Sequence, residues 1–503
     1  METSQSQGPV PVTDPAQSKE PPLPIKECQA SETDSNINLV TWDGEDDPDN
    51  PKNWSFKMRW RMTAIASTFA FISPISTSMT APALSTIAKD LHIHHAFEQT
   101  MSLSIFLLAY AFGPLFSAPM SEVYGRRVIL QGFNLIYLAF NTACGFAQTG
   151  PQLIVCRFFA GFGGSAASVI ASGILGDLWR KEERGLSVSI YTMVTLLGPT
   201  LGPLLGGFIT QYSSWRWTFW SVSIADGLFQ LIATFFFQET YAPVLLGRKA
   251  ARLRKETGNT SLRTKWEEDD LSLRKKLRVA CTRPYILLAT QPIFQVLTLY
   301  ISYLFGLVYL ALATFAELWT TQYRQSISIA GLNYLGLAVG YIIGTQSCAM
   351  LIGIVYRRLV AGNNATAQPE FRLPLLLPGA LMVPVGLLWY GWSAQHHLHW
   401  IMPDIGIALF AIGVKYGTQC TQLYALDVYP TYAASASAGA QSLRSLAGFT
   451  FPLFAPYLYD KLHYGWGNSV LALVGFVIGV PAPILLWIYG PALRRRSQYA
   501  TGV

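Results

Sequence analysis

Between residues 60 and 489 the chain is a succession of apolar runs, each long enough to cross about 30 Å of hydrocarbon as a helix. They fall at 60–82, 99–120, 127–148, 152–176, 186–210, 217–237, 286–316, 327–355, 373–394, 400–426, 433–459 and 466–489. Twelve such runs leave little of the chain for anything but spans and the segments that join them. Composition agrees. Of the 503 residues 51% are hydrophobic and 13% are charged, against roughly 25% charged in an average soluble domain. Mean hydropathy is +0.30. So few charges cannot coat a soluble particle of this size, and the main solvent expected for the chain is lipid.

The formal net charge of +7 does not indicate nucleic acid. The basic residues sit between apolar runs, where membrane topology accounts for them. Six cysteines, Cys28, Cys144, Cys156, Cys281, Cys348 and Cys420, show no metal-ligand spacing and no disulfide framework. They are expected to be mostly apolar filler. No metal and no cofactor is expected.

Residues 1–58 are expected to be a disordered cytosolic tail, rich in Pro, Ser, Asp and Glu, with no cleavable signal sequence. A first bundle of six spans is expected over 59–237 and a second over 286–490. Between them lies a basic cytosolic segment, 238–285, with Arg248, Lys249, Arg252, Arg254, Lys255, Arg274, Lys275, Lys276 and Arg278. A short cytosolic tail, 491–503, follows. Two equal sets of six spans suggest a duplicated unit. With both termini in the cytosol, the inner segments hold Lys57, Arg59, Arg126, Arg127, Arg180, Lys181, Arg184, Arg357, Arg358, Arg372 and Arg494 to Arg496, and the outer loops only Lys89, Arg216, Arg324 and Lys461. The Asn-X-Ser/Thr triplets at Asn53, Asn259 and Asn364 then face the cytosol and escape glycosylation.

Three motifs carry chemistry. Residues 118–127, Ala-Pro-Met-Ser-Glu-Val-Tyr-Gly-Arg-Arg, follow the second run. A tight turn at Gly125 is expected there, with Glu122 near the cations Arg126 and Arg127. Residues 153–164, Leu-Ile-Val-Cys-Arg-Phe-Phe-Ala-Gly-Phe-Gly-Gly, place Arg157 inside the fourth run, at about 2.5–3.5 kcal/mol on insertion scales. Residues 198–207, Gly-Pro-Thr-Leu-Gly-Pro-Leu-Leu-Gly-Gly, put Gly198, Gly202 and Gly206 on one helix face, with Pro203 bending the span and Gly207 beside it. In the eighth run Gly336, Gly340 and Gly344 repeat that spacing.

These segments resemble motifs of the major facilitator superfamily. The first matches its loop motif, with Ala118, Glu122 and Val123 replacing the family's Gly, Asp and Arg. The second resembles the fourth-span motif of proton-coupled exporters, and the third the fifth-span antiporter motif, without a mismatch. Residues 46–54, 239–246, 369–374 and 427–436 narrow the resemblance to fungal twelve-span drug:proton antiporters. The resemblance implies an all-α membrane protein with the major facilitator fold, two six-helix bundles and twelve transmembrane helices. It implies a transporter rather than an enzyme, with export rather than uptake, protons as co-substrate and Arg157 linked to proton transfer. It further implies that spans five and eight meet between the halves, so two facing glycine stripes are expected.

Four charges lie away from span ends or within a motif: Arg157, Asp226, Lys415 and Arg444, summing to +2. The first span has no carboxylate, which argues against a simple cation pump. Asp226 is the carboxylate candidate for carrying a proton. The resemblance implies that spans one, four, seven and ten line a central cavity, so Lys415 is expected to face it with Tyr416 and Gln419, and Tyr300 and Tyr303 to add amphipathic wall; pairing of Lys415 with Asp404 or Asp427 is the alternative. The expected substrate is a neutral or acidic small molecule, such as a secondary metabolite, an organic acid or a drug. Export of polyamines or other cations, and nutrient import, are the competing readings. One proton entering down two pH units and 100 mV releases roughly 5 kcal/mol, enough for about three to four decades of gradient of a neutral solute. No phosphate-binding Gly-x-x-x-x-Gly-Lys-Ser/Thr loop is present. The expected partners are a small-molecule substrate, protons and the lipid bilayer. The expected state is monomeric, in the plasma membrane, with the vacuolar membrane as the alternative. His92, His94 and His95, and His396, His397 and His399, are expected to be solvated loop residues.

Overall fold

The computed structural model of the protein describes residues 38–44, 46–180, 183–265, 273–363, 368–429 and 432–500. Among the described residues there is no β-strand; the one extended pairing is a bridge between Leu39 and Arg263. Residues up to 37 of the expected disordered tail, and Asn364, lie outside the described residues.

The crossings are α1 (Phe56–Met79), α2 (Ala96–Tyr124), α3 (Arg126–Gly145), α4 (Gly150–Leu178), α5 (Arg184–Tyr212), α6 (Trp217–Phe236), α7 (Pro292–Glu317), α8 (Ile327–Gly362), α9 (Leu376–Gln395) and α10 (Ile401–Val428). The last two, α11 and α12, are the limbs 433–462 and 464–496 of a helical stretch that turns at His463, where φ is 54°, and is broken once more at Val480. The Tyr459 hydroxyl donates to Asn468 Oδ1 at 3.2 Å, although nine residues of straight helix would separate them by about 13 Å. The chain therefore reverses there, and the 62-residue apolar stretch Ser435–Arg496 holds two crossings. Among the described residues nine further segments are long and apolar enough to cross. α1 completes the set; it is less apolar because Lys57, Arg59 and Arg61 open it and because its buried Ser73, Ser76, Thr77 and Ser78 face other helices rather than lipid.

Local sequence explains the boundaries. Ser55 caps α1 by accepting from the Met58 amide. Gly125, at φ 98°, lets α3 begin one residue after α2 ends, a backbone that an L side chain rarely adopts. The seventh span is expected at 286–316 but starts at Pro292. Gln291 is extended before that proline, and residues up to Thr290 belong to a separate helix, Leu273–Thr290. The segment between the bundles also holds the helix Ala242–Thr257. The eleventh and twelfth crossings run beyond the expected 433–459 and 466–489.

Within the first bundle α1 packs on α5, α4 and α6, α2 on α4, and α3 on α4 and α6. In the second, α10 packs on α8 and α9, and α7 on the α11–α12 hairpin. The two bundles meet along α2 against the hairpin and α5 against α8. Large apolar side chains such as Phe235, Leu473 and Ile488 stay exposed on the outside, as a lipid-facing surface requires.

Two compact units divide the chain. In the smaller, residues 38–41 bond to the segment after the helix Ala242–Thr257, with Val40 N and Arg263 N each donating across at 2.8 Å. In the larger, the lead-in to α1 is ordered: buried Asp47 accepts from the amides of Asp43 and Asp49, both at 2.8 Å.

Candidate functional site

The end of the first bundle that carries Arg126 and Arg127 is built around carboxylates other than the expected one. Glu122 is exposed and, among the described residues, makes no ion pair. Glu239, three residues past α6, instead accepts from the backbone amides of Arg126 and Arg127 at 2.9 and 3.1 Å, at the start of α3, where its charge also meets the helix dipole. The Arg126 side chain reaches Asp177 of α4 at 3.3 Å and Ser121 at 2.7 Å, and lies over the Tyr241 ring. Arg127 donates to the Thr234 carbonyl at 2.7 Å. The second bundle has an analogue. Arg372 pairs with Asp427 at the end of α10 at 3.0 Å and covers Tyr356, and Arg494 pairs with Glu370 at 3.3 Å.

The glycine stripes do not face each other. Gly198, Gly202 and Gly206 press on α1 at Pro74, Ile75, Ser78 and Met79. A methyl on Gly206 would collide with the Met79 carbonyl, and Ser78 donates to the Gly198 carbonyl at 3.2 Å. Gly336, Gly340 and Gly344 press on α10 at Asp404, Ala408, Ile412 and Lys415. The crossing of α5 with α8 is made instead by Gly207, whose added Cβ would sit 2.9 Å from the Ile327 oxygen, and by Gly331, whose added Cβ would sit 3.0 Å from the Pro203 oxygen. A Gly-x-x-x-Gly pattern marks a close approach but not the helix approached.

Arg157 is fully buried. Its Nε donates to the Ser102 carbonyl at 3.2 Å and one Nη to Thr80 Oγ1 at 3.0 Å, and the guanidinium lies between the Phe106 and Phe219 rings. Its other Nη has no hydrogen-bond partner among the described residues. It does not snorkel, because it is enclosed by α1, α2 and α6. Asp226 sits away from it in the α3–α6 seam, where the Asn134 amide bonds both its oxygens at 3.0 and 3.1 Å.

Lys415 pairs with neither Asp404 nor Asp427. Its ammonium lies 4.6 Å from the centre of the Tyr341 ring of α8, a cation–π contact. The charge that acts on it is that of Arg444 in α11, of the same sign. Arg444 covers the Phe305 ring, and its Nε is buried without a partner. Its charge reaches the hydroxyls of Tyr110 in α2, Tyr191 in α5 and Tyr309 in α7, and Tyr309 also feels Arg157. Lys415, Arg444, Tyr110, Tyr191 and Tyr309 are all half-buried, so they border open space rather than close packing. Among the described residues no carboxylate lies within ion-pair distance of Arg157, Lys415 or Arg444. The cluster is thus cationic, ringed by phenols, and drawn from both bundles.

Three expected members lie elsewhere. Tyr300 is buried between Gly417 and Gly479, and Tyr303 donates to the Leu471 carbonyl, so both belong to the core of the second bundle and not to a cavity wall. Tyr416 is turned about 100° from Lys415 on the same helix, and its hydroxyl bonds Ser347 of α8 at 3.1 Å. Gln419 is half-buried beside them. Tyr110, Tyr191, Tyr309 and Tyr341 were not singled out by the sequence. A lone tyrosine in an apolar run has no pattern that tells a cavity from a core. Glu239 and Asp177 did leave a signal, as carboxylates at the ends of spans among arginines.

A helical bundle pair with half-buried cations bordering open space is the plan of a membrane transporter. The Major Facilitator Superfamily profile matches residues 66–452, and the protein belongs to that superfamily. It is 49% identical over 471 residues to the efflux pump vrtL of Penicillium aethiopicum, covering 94% of this chain and 93% of the relative. It is 44% identical over 422 residues to the probable efflux pump mfs2 of Aspergillus flavus, covering 84% and 99%. The fold matches the partially occluded inward-open xylose transporter XylE from E. coli with TM-score 0.64 at 16% identity, over 86% of this chain and 98% of that one. The chain is therefore a multi-pass membrane transporter of the fungal efflux group, and that family is not one of enzymes.

Proposed function

We propose that the protein exports an acidic or neutral aromatic metabolite in exchange for protons, binding it at Lys415 and Arg444. The observation that carries this reading is the pair of cations without carboxylate partners, set among tyrosines from both bundles. An anionic oxygen would relieve the mutual repulsion of Lys415 and Arg444, and the phenols offer hydrogen bonds and ring faces to an aromatic body. Each cation left unpaired in a poorly solvated site is costly, so a matching anion gains more there than in water. The efflux names of vrtL and mfs2 support the outward direction. Orientation with both termini cytosolic, a plasma-membrane location and a monomeric state belong to the same reading.

One observation favours a cation as substrate. A vestibule of about 600 Å³ at the other end of the bundles from Arg126 is bordered by Glu317, Asp460 and His463. Purified protein in liposomes under an imposed pH gradient decides between them. Accumulation of a hydroxybenzoate-type acid that falls roughly tenfold in Lys415→Gln, with no transport of spermidine, supports the proposal. Transport of spermidine that is indifferent to Lys415→Gln sinks it.

A further inference from the structure

We propose that Asp404 carries the coupling proton, exchanging it through a groove between α8 and α10; this rests on the proton-coupled reading above. Asp404 lies in the first turn of α10 and is 8% exposed. Among the described residues neither oxygen accepts a hydrogen bond and no cation lies within ion-pair distance, and Oδ1 is buried outright. It borders a groove of about 570 Å³ whose walls include Ile329, Leu332, Leu335 and Val339. An ionised carboxylate without a partner in such surroundings is strongly disfavoured. The group is therefore neutral while the groove is dry, and releases its proton when water reaches it.

The other carboxylates in the spans are differently placed; Glu98 and Glu122 of α2 are exposed. Asp226 is held on both oxygens by Asn134. Glu317 and Asp460 border the open vestibule. Asp177 and Asp427 are paired with Arg126 and Arg372. Asp404 alone among these combines burial, no partner and an open groove.

Its position also connects it to the substrate site. Asp404 and Lys415 are eleven residues apart, about three helical turns and 16 Å, and so share one face of α10. That face lies on the α8 glycine stripe: Gly336 opposes Asp404 and Gly344 opposes Lys415. A change of charge at Asp404 alters the seam that also seats the substrate lysine. Asn333 and Gln325 from the α8 side line the same groove, and Tyr390 of α9 and Tyr323 beyond α7 lie within electrostatic reach of Asp404 in its ionised form. His396, His397 and His399 occupy the connection that leads into α10. On α10 itself the next charge is Lys415.

Two measurements on the full-length protein in liposomes test this. In Asp404→Asn, accumulation driven by a pH gradient should fall roughly tenfold, while substrate-for-substrate exchange without a gradient stays within about twofold; Asp404→Glu should restore part of the driven transport. Independently, dicyclohexylcarbodiimide should modify residue 404 of the native protein. The neutral carboxyl adds across a C=N bond, its proton passing to nitrogen, so the modification should be faster at low pH and blocked in Asp404→Asn. Undiminished driven transport in Asp404→Asn, or inactivation by the carbodiimide without modification at 404, overturns the assignment while leaving proton coupling intact. Native protein indifferent to the pH gradient overturns both.

Discussion

Gly198, Gly202 and Gly206 set α5 against α1, and Gly336, Gly340 and Gly344 set α8 against α10, with the same spacing. What lies beneath them differs. The α1 face is neutral, formed by Pro74, Ile75, Ser78 and Met79, and Ser78 closes on the Gly198 carbonyl. The α10 face carries Asp404 and Lys415. Both seams hold backbone against backbone, but only the second carries two ionisable groups on the facing helix. A small-residue stripe permits close approach, and the facing helix decides what that approach serves.

The largest test of this contrast is Gly206→Leu, which drives a side chain into the Met79 carbonyl. Folded protein should fall to roughly a tenth, as read by size-exclusion chromatography, while transport per folded molecule stays near native. Gly340→Leu, which drives a side chain into the Ala408 carbonyl, should lose folded protein to a similar degree and in addition lower transport per folded molecule roughly tenfold, because its seam carries Asp404 and Lys415. If transport per folded molecule is the same in the two variants, the contrast fails.

The arginine-rich ends sharpen the comparison at smaller scale. Arg126 is held by Asp177, Ser121 and the Tyr241 ring, and Arg372 by Asp427 and the Tyr356 ring. Each of Arg126→Gln and Arg372→Gln should slow transport about three- to tenfold, with Arg126→Gln the more severe because the less exposed of the two polar clusters loses its centre. Equal initial rates would show that the additional bond to Ser121 has no weight.

The smallest effect is expected at the other end. There the first bundle is closed by Asp90, which accepts from Trp215 and Arg216, both at 2.8 Å. The second uses neutral bonds, Tyr323 to the Leu398 carbonyl and Gln395 to the Gly465 amide. The Trp215 indole, and then the Arg216 guanidinium, hold the Asp90 carboxyl below the usual carboxylate range. A depressed folded value stabilises above the unfolded value of about 3.9, and the gain is lost as pH falls through the folded value. Because the pair is exposed, Asp90→Asn should lower the melting temperature by only about 1–2 °C at pH 7. The difference should vanish in acid.

Sequence reading located the crossings because hydropathy averages over whole helices. It misplaced the start of α7 because Leu273–Thr290 ends in apolar residues that merge with the span, and only the extended Gln291 before Pro292 separates them. The site was harder to read. Lys415 and Arg444 stand out as charges in apolar runs, but their mutual approach spans two helices and has no period in the sequence. Tyr300 and Tyr309 look alike in α7, yet nine residues put them on different surroundings: one under Gly417, the other half-open near Arg444. Glu122 was chosen by motif position, whereas the bonds at Arg126 and Arg127 go to Glu239, which is 113 residues from Arg126.

The crossing at Gly207 and Gly331 has a mechanical consequence. Gly207 lies five residues from the Tyr212 end of α5 and 23 from the Arg184 end, lever arms of about 8 and 35 Å at 1.5 Å per residue. A rotation of about 10° about that point would move the near end by little more than 1 Å and the far end by about 6 Å. Small rearrangements near Tyr212 are thus geared up into wide travel where α5 starts, at the arginine-rich end of the molecule.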